Sequence, residues 1–410
     1  MDIRITPKKL SGSVTPPPSK SMAHRLIISA ALGSGVSTIR NVAFSQDIEA
    51  TLRCMEALGA KWSLKSEDIV EVIGIGRPSP DSFSSLPHFD CGESGSTLRF
   101  LIPIALAVAG GGVFTGRGRL MERPQKPYFD LFNEKGIFWK QENGTLTVQG
   151  HLAPGEYRLP GNVSSQFFTG LLFALSLLDA PSEIICTTAL ESANYIDMTL
   201  QAMEIAGVPV NSVRNQNHFA VHPADYRSFE NTVEPDWSQA GFWYAANFLD
   251  NPVEIQGMNA YSTQGDMIIA KYYWLLAHPG EDVEIDISGC PDLLPPLAVM
   301  AAVRSGTTRF VNAARLRIKE SDRLATVAAL LQALGCSAEE LPDALIVHGG
   351  QPLTGGTVDG ANDHRIVMAA AIAATVCSAP VTILGAEAVK KSYPDFWEEY
   401  QRLGGDIHVL

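Results

Sequence analysis

Sulfur is sparse in this chain and never clustered. The six cysteines, Cys54, Cys91, Cys186, Cys290, Cys336 and Cys377, are widely scattered and form no C-x-x-C pair. That spacing excludes a zinc ribbon or a disulfide scaffold and points to a reducing cytoplasm. The nine histidines show no metal-ligand spacing and no H-E-x-x-H, so neither a metal nor another cofactor is expected. Also missing are a G-x-x-x-x-G-K-[ST] phosphate loop, a strand–G-x-G-x-x-G–helix unit and a G-x-S-x-G elbow. Their absence removes a P-loop nucleotide site, a dinucleotide enzyme and a serine hydrolase. Long apolar runs are lacking too. The longest uncharged one, Phe100 to Phe114, is too short and too glycine-rich to span a bilayer. Met1-Asp2-Ile3-Arg4 leads into no apolar segment, so no secretory leader and no membrane partner are expected. A net charge of −13 disfavours nucleic acid and makes any local cluster of cations informative.

What is present is a repeat. Six times a short polar head runs into an apolar helical stretch: Lys20-Ser21-Met22-Ala23-His24-Arg25, Ser94-Gly95-Ser96-Thr97-Leu98-Arg99, Ser164-Ser165-Gln166, Trp237-Ser238-Gln239, Pro291-Asp292 and Asp363-His364-Arg365. The runs behind them include Phe100 to Val108, Phe167 to Leu178 and Ile366 to Val376. Helices apolar on nearly all sides must be buried, and a buried helix N-terminus with unpaired N–H groups suits an anion. Amphipathic helices alternate with these runs at Asp47–Gly59, Tyr128–Gly136, Tyr195–Gly207, Asp266–Gly280, Ser321–Gly335 and Asp395–Gly404. Most are followed by alternating strands, and Trp139 to Val148 with Asn143-Gly144 at its centre reads as a hairpin. The period is roughly 70 residues, enough for two helices and several strands, and the last copy is cut short at Leu410.

A chain of 410 residues, 46% hydrophobic and 18% charged, predicts two soluble domains of about 200 residues each. Pro16-Pro17-Pro18 isolates an opening strand, Asp2 to Thr6, and Val233-Glu234-Pro235 lies where the third repeat meets the fourth. If the opening segment joins the second half, the chain crosses between domains twice, an arrangement that permits hinge closure around a ligand.

The densest charge cluster is Arg315 together with Arg317-Ile318-Lys319-Glu320-Ser321-Asp322-Arg323. It stands between a strand and an amphipathic helix, where loop residues face a cleft; a solvated helix start with Ser321 as N-cap is the plainer reading. Asp363-His364-Arg365 opens an almost wholly apolar helix, so Arg365 needs an anion, either a ligand or an internal acid. Asp363 reads equally as the N-cap, and His364 as a hydrogen-bonded structural histidine. Lys20 and Arg25 lie about one helical turn apart near another helix start. Glu122-Arg123-Pro124 and Lys390-Lys391-Ser392-Tyr393-Pro394 add loop cations, of which Lys390 reads as surface solvated. Together these form a metal-independent site rich in Lys and Arg with a few acids, suited to phosphate-bearing small molecules.

These residues resemble the 5-enolpyruvylshikimate-3-phosphate synthase family over essentially the whole chain. The likeness rests on Pro18-Ser19-Lys20-Ser21 with Arg25, Gly95 with Arg99, Glu122-Arg123-Pro124, Ser164-Ser165-Gln166, Tyr195-Ile196-Asp197 and Gln264-Gly265-Asp266. It continues through Pro291-Asp292, Lys319-Glu320-Ser321-Asp322-Arg323, Asp363-His364-Arg365 and Lys391-Ser392-Tyr393-Pro394-Asp395. The resemblance implies a two-domain inside-out α/β barrel, each domain three βαβαββ repeats with buried helices. It implies residues 18–234 as one domain, 1–17 plus 235–410 as the other, and an active site in the cleft between them. The implied activity joins phosphoenolpyruvate to shikimate 3-phosphate in a monomer with those two small molecules as partners and no cofactor. Lys20, Gly95, Arg123, Gln166, Arg323, Arg365 and Lys391 match positions that hold phosphoenolpyruvate. Ser21, Arg25, Ser164, Ser165, Gln166, Ser192, Tyr195, Asp292 and Lys319 match those that hold shikimate 3-phosphate. Asp292 and Glu320, assisted by Lys20 or Lys391, are the expected proton carriers, and Trp237-Ser238-Gln239 reads as structural.

Several positions depart from the family pattern. Glu93 replaces the usual Asn before Ser94-Gly95, His24 replaces an Asn, and Arg315 stands where many members have Asn. Glu234-Pro235-Asp236-Trp237-Ser238 replaces a Gly-Asp-x-Ser phrase. Gly95 matches the small residue with which glyphosate sensitivity is associated, so inhibition is expected. Two alternative readings remain open to the sequence. The sister family acting on UDP-N-acetylglucosamine has Lys-Asn in place of Lys20-Ser21 and a loop cysteine, which Gly110 to Arg123 lacks. A non-catalytic anion-binding relative would have been favoured by loss of Asp292, Glu320, Lys20 or Arg365, all of which are present.

Overall fold

The computed structural model describes residues 1–77, 82–213, 218–278 and 282–410. Its described residues form helices α1 (Lys20–Leu32), α2 (Gln46–Ala57), α3 (Gly95–Ala109), α4 (Lys126–Lys135), α5 (Gln166–Leu175) and α6 (Ala193–Ile205). The second half adds α7 (Trp237–Phe248), α8 (Ile269–Leu276), α9 (Leu294–Val303), α10 (Arg323–Ala333), α11 (His364–Ala374) and α12 (Phe396–Arg402). Odd-numbered helices follow the polar heads, while the even-numbered ones are the partners that alternate with them.

The head helices are buried because nothing on them prefers water. In α5 every residue from Phe167 to Leu175 is buried, and in α11 all are. α3 is started by Ser94, whose side chain accepts from Thr97 N, and stopped by Gly110 at φ 68°, a left-handed conformation that glycine adopts without a Cβ clash.

The sheets repeat one pattern. His88–Asp90 runs parallel to Gly111–Thr115, which is antiparallel to Thr145–Gln149, itself paired with Phe138–Glu142. With α3 and α4 this is a βαβαββ unit, and its hairpin turns at Asn143 (φ 51°) and Gly144 (φ 72°), the pair of positive φ values a tight turn requires. Among the described residues five four-stranded sheets share this order.

Two of them are completed by strands from far along the chain. Ile3–Thr6 inserts between Val381–Leu384 and Asp406–Val409, antiparallel to both, and so finishes the copy that stops at Leu410. Glu230–Thr232 runs parallel to Val36–Arg40 and supplies the first strand of the first repeat. The chain accordingly divides into one unit of Pro18–Glu234 and another of Met1–Pro17 with Pro235–Leu410. Each unit is an inside-out α/β barrel built from three repeats around its own core. The fourth repeat is a departure: among the described residues its sheet has only Gly12–Val14 and Val253–Ile255, and no hairpin follows.

Local boundaries also differ from expectation. The Phe167 run leaves the helix after Leu175, before Leu178. Asp322, not Ser321, caps α10 by accepting from Ala325 N. The predicted helix Asp266–Gly280 is a short 3-10 turn, Gly265–Ile268, followed by α8, and Gly280 lies outside the described residues. No helix among the described residues is long and apolar enough to cross a membrane.

Candidate active site

Each unit gathers one group of the residues singled out above. In the unit of Pro18–Glu234 the group sits on the N-terminal turns of α1, α3, α5 and α6. Ser19 caps α1, and Lys20 Nζ meets Asp47 Oδ2 at 2.7 Å. Arg25, one turn on, is 2% exposed. Its Nε donates to Thr199 Oγ1 (2.9 Å), Nη1 to Ser21 O (2.6 Å) and Nη2 to Tyr195 O (2.9 Å). The guanidinium also lies 5.1 Å from the Phe100 ring centroid. Every one of these hydrogen-bond acceptors is neutral, so burial pulls the Arg25 pKa down to about 10. Removing a cation from water without a countercharge is costly, and an incoming anion offsets that cost.

Arg99 and Gln166 tie two head helices together. Arg99 Nη1 donates to Gln166 Oε1 at 2.8 Å, and Gln166 Nε2 donates to Ser96 Oγ at 3.0 Å. Arg123 is buried beside them, and a Cβ built on Gly95 would stand 2.8 Å from Arg123 Nη1. Glycine at this position therefore sets how closely that guanidinium approaches the start of α3. Ser164 Oγ accepts from Gln166 N at 3.3 Å. Ser165 is buried, and Ser192 holds a left-handed φ of 52° at the start of α6.

His24 is buried with Nδ1 2.7 Å from Thr51 Oγ1, which in turn contacts Thr97 Oγ1. Burial first, then the Lys20 and Arg25 charges, hold its pKa well below the ordinary imidazole range, so it is a neutral structural residue here. The Glu93 carboxylate lies against Gly118, with Oε2 2.6 Å from where a Cβ would be.

The other unit collects acids among its cations. Arg323 is fully buried and touches three carboxylates: Nε meets Asp363 Oδ2 (3.0 Å), Nη1 Asp292 Oδ1 (2.8 Å) and Nη2 Glu320 Oε2 (2.6 Å). Burial opposes its charge, but Asp363, Glu320 and Asp292 outweigh that and raise its pKa above the normal value. Asp292 bridges onward, with Oδ2 2.8 Å from Arg365 Nη2 and Oδ1 3.6 Å from Lys319 Nζ. Burial pushes the Asp292 pKa up, yet Arg365, Lys319 and Arg323 together hold it well below the usual carboxylate range. Lys319 goes the other way. Burial, relieved by Asp292 but reinforced by Arg323 and Arg315, lowers its pKa to about 8.

Asp363 has a double task. Its Oδ1 accepts from Arg365 N at 3.0 Å and caps α11, while Oδ2 accepts from Ser321 Oγ at 2.9 Å and from Arg323. Lys391 is buried and donates from Nζ to Asn362 O at 2.7 Å. Arg315 donates from Nη2 to Ser288 O at 2.6 Å.

The internal-acid reading of Arg365 is thus realised by Asp292. Asp47, Thr199 and Ser238 are partners that sequence reading missed. Asp47 carried a signal, an acid in the first turn of α2; Thr199 carried none.

Known proteins place the chain in a family. The family model for EPSP synthase (3-phosphoshikimate 1-carboxyvinyltransferase) matches residues 5–400. A 3-phosphoshikimate 1-carboxyvinyltransferase of Clostridium kluyveri is 43% identical, covering 99% of this chain and 98% of that protein. One from Clostridium novyi is 43% identical with the same coverage. Among solved structures, EPSP synthase from Acinetobacter baumannii superposes with a TM-score of 0.79 at 23% identity over 100% of both chains. The enolpyruvyl transferase NikO from Streptomyces tendae reaches 0.76 at 17% identity, covering 99% of this chain and 98% of that one; both likenesses concern the fold. The chain belongs to the EPSP synthase (3-phosphoshikimate 1-carboxyvinyltransferase) family.

Proposed function

We propose that the two groups of residues divide the work of one reaction. The chain transfers the enolpyruvyl group of phosphoenolpyruvate to the 5-hydroxyl of shikimate 3-phosphate and releases phosphate, the step that leads towards chorismate and the aromatic amino acids. In the addition, the hydroxyl oxygen bonds to C2 of phosphoenolpyruvate, C3 gains a proton and the hydroxyl proton leaves, giving a tetrahedral ketal phosphate. In the elimination, the bond from C2 to the phosphate oxygen breaks with its electron pair, C3 loses a proton and the enol ether forms.

The observation that carries the residue roles is the setting of Asp292, an acid kept ionised by Arg365, Lys319 and Arg323. Such a carboxylate is a weak base at rest. It takes the hydroxyl proton as the C–O bond forms and that proton turns acidic. Glu320, on the other side of Arg323, handles the methylene proton, with Lys20 or Lys391 assisting. Arg123, Arg323 and Arg365, with Lys20, Gly95, Gln166 and Lys391, hold phosphoenolpyruvate; guanidinium groups grip carboxylate and phosphate in two-point fashion. Arg25, Ser21, Ser164, Ser165, Gln166, Ser192, Tyr195, Asp292 and Lys319 hold shikimate 3-phosphate, the buried Arg25 charge being met by the substrate phosphate.

Phosphate release from the two substrates together tests the reading. Asp292→Asn and Glu320→Gln are each expected to cut turnover by about 10²–10⁴-fold while shikimate 3-phosphate binding stays within about threefold. Turnover like that of the unmodified chain in either variant rejects that residue's role.

A further inference from the structure

The first turn of α7 carries polar side chains for which the proposed reaction has no use. Asp236 Oδ1 accepts from Ser238 N (2.8 Å), Gln239 N (3.0 Å) and Ser238 Oγ (2.7 Å). With its proton committed to Asp236, Ser238 Oγ turns its lone pairs outward and accepts from Arg365 Nη2 at 3.1 Å. The same nitrogen donates to Asp292 Oδ2 at 2.8 Å. Two acceptors therefore fix both protons of one guanidinium nitrogen, and with them the plane of the group. The carboxylate behind Ser238 polarises the hydroxyl and strengthens its hold.

Gln239 is 1% exposed. Its Nε2 donates to Ser392 Oγ at 3.0 Å, whereas its Oε1 is buried without a hydrogen-bond partner among the described residues. Folding alone does not favour a half-satisfied buried amide over an apolar side chain of similar size. What this amide does achieve is to anchor the residue that follows Lys391.

We propose that Ser238 and Gln239 are positioning residues of the phosphoenolpyruvate subsite, Ser238 acting through Arg365 and Gln239 through the Lys391-Ser392 loop. The fourth polar head is then part of the machinery and not mere scaffold. The inference rests on the assignment of Arg365 and Lys391 to phosphoenolpyruvate made above.

Initial rates with both substrates varied test it. Ser238→Ala is expected to raise KM for phosphoenolpyruvate about tenfold, the effect of one lost hydrogen bond to a charged group, with KM for shikimate 3-phosphate within about twofold. Ser238→Thr, which keeps the hydroxyl, restores most of the loss. Gln239→Ala, whose backbone N–H still serves the helix cap, shows the same selectivity at about threefold, and it reads the proposal independently should Ser238→Ala not fold. In an Arg365→Lys background, Ser238→Ala adds less than about twofold, because the group it positions has gone. Additive losses in that double variant, or equal rises in both KM values, overturn the proposal. Unchanged KM for phosphoenolpyruvate in Arg365→Lys alone removes the underlying assignment of Arg365, whatever Ser238 does.

Discussion

The two units solve the problem of a buried cation in opposite ways. In one, Arg323 is surrounded by Asp292, Glu320 and Asp363, so its charge is balanced before any substrate arrives. In the other, Arg25 is equally buried but among the described residues donates only to a hydroxyl and two carbonyl oxygens. In the first arrangement Arg365, Lys319 and Arg323 hold Asp292 well below the usual carboxylate range, while burial brings Lys319 down to about 8. The second leaves its charge to be met by an anion in the proposed reaction, because neutral oxygens orient a guanidinium without cancelling its field. Under the proposed function, proton transfer and anion capture ask different things of the same residue type, and the repeat offers both settings from one scaffold.

Removing each arginine is the sharpest way to break the comparison. Arg323→Met strands three carboxylates in a buried cluster and is expected to destabilise its unit by about 3–5 kcal/mol in urea unfolding. Arg25→Met strands only neutral acceptors and is expected to cost about 1–2 kcal/mol. Equal losses in the two variants would erase the distinction. The second variant pays instead in ligand affinity, with shikimate 3-phosphate binding by calorimetry weakened about 10–100-fold.

A smaller effect is expected from Gly95→Ala. The new Cβ, 2.8 Å from Arg123 Nη1, displaces the flexible end of that side chain, so folding is retained and KM for phosphoenolpyruvate rises about tenfold. A rise confined to shikimate 3-phosphate would reassign Arg123. The smallest effect is a pH limb. Lys319 is cationic below its pKa of about 8 and neutral above it. kcat/KM for shikimate 3-phosphate should therefore fall severalfold as pH rises through about 8. Lys319→Arg, which stays charged throughout, should move that fall to higher pH; an unmoved limb would belong to another group.

Much of the local structure around the candidate site was legible in the chain because its signals are short-range. Asp363 reads as an N-cap from the apolar run behind it and does cap α11. Asn143-Gly144 reads as a hairpin turn and takes the positive φ values that turn needs. Ser321 misled: two adjacent cap-competent residues, Ser321 and Asp322, look alike in sequence, and Asp322 took the cap while Ser321 turned to Asp363. Trp237-Ser238-Gln239, read as structural, has a long-range contact of a different kind. Nothing local announces that Ser238 Oγ meets Arg365, since the two lie 127 residues apart.

The closing of each unit was half legible. An isolated opening strand and a truncated last copy suggested that the start of the chain belongs with its second half. That Ile3–Thr6 lies between Val381–Leu384 and Asp406–Val409 is a matter of strand pairing, which no periodicity records.

By itself the sequence determined the repeat, the burial of the head helices and the concentration of Lys and Arg at their starts, because hydrophobic period and capping act within a few residues. Tertiary structure alone decided which acid meets which cation. Asp292 reaches Arg365 and Arg323 across 73 and 31 residues of chain, and Arg25 finds Thr199 across 174. In a buried, weakly screened interior those pairings set charge and pKa, and the choice among partners is made by packing.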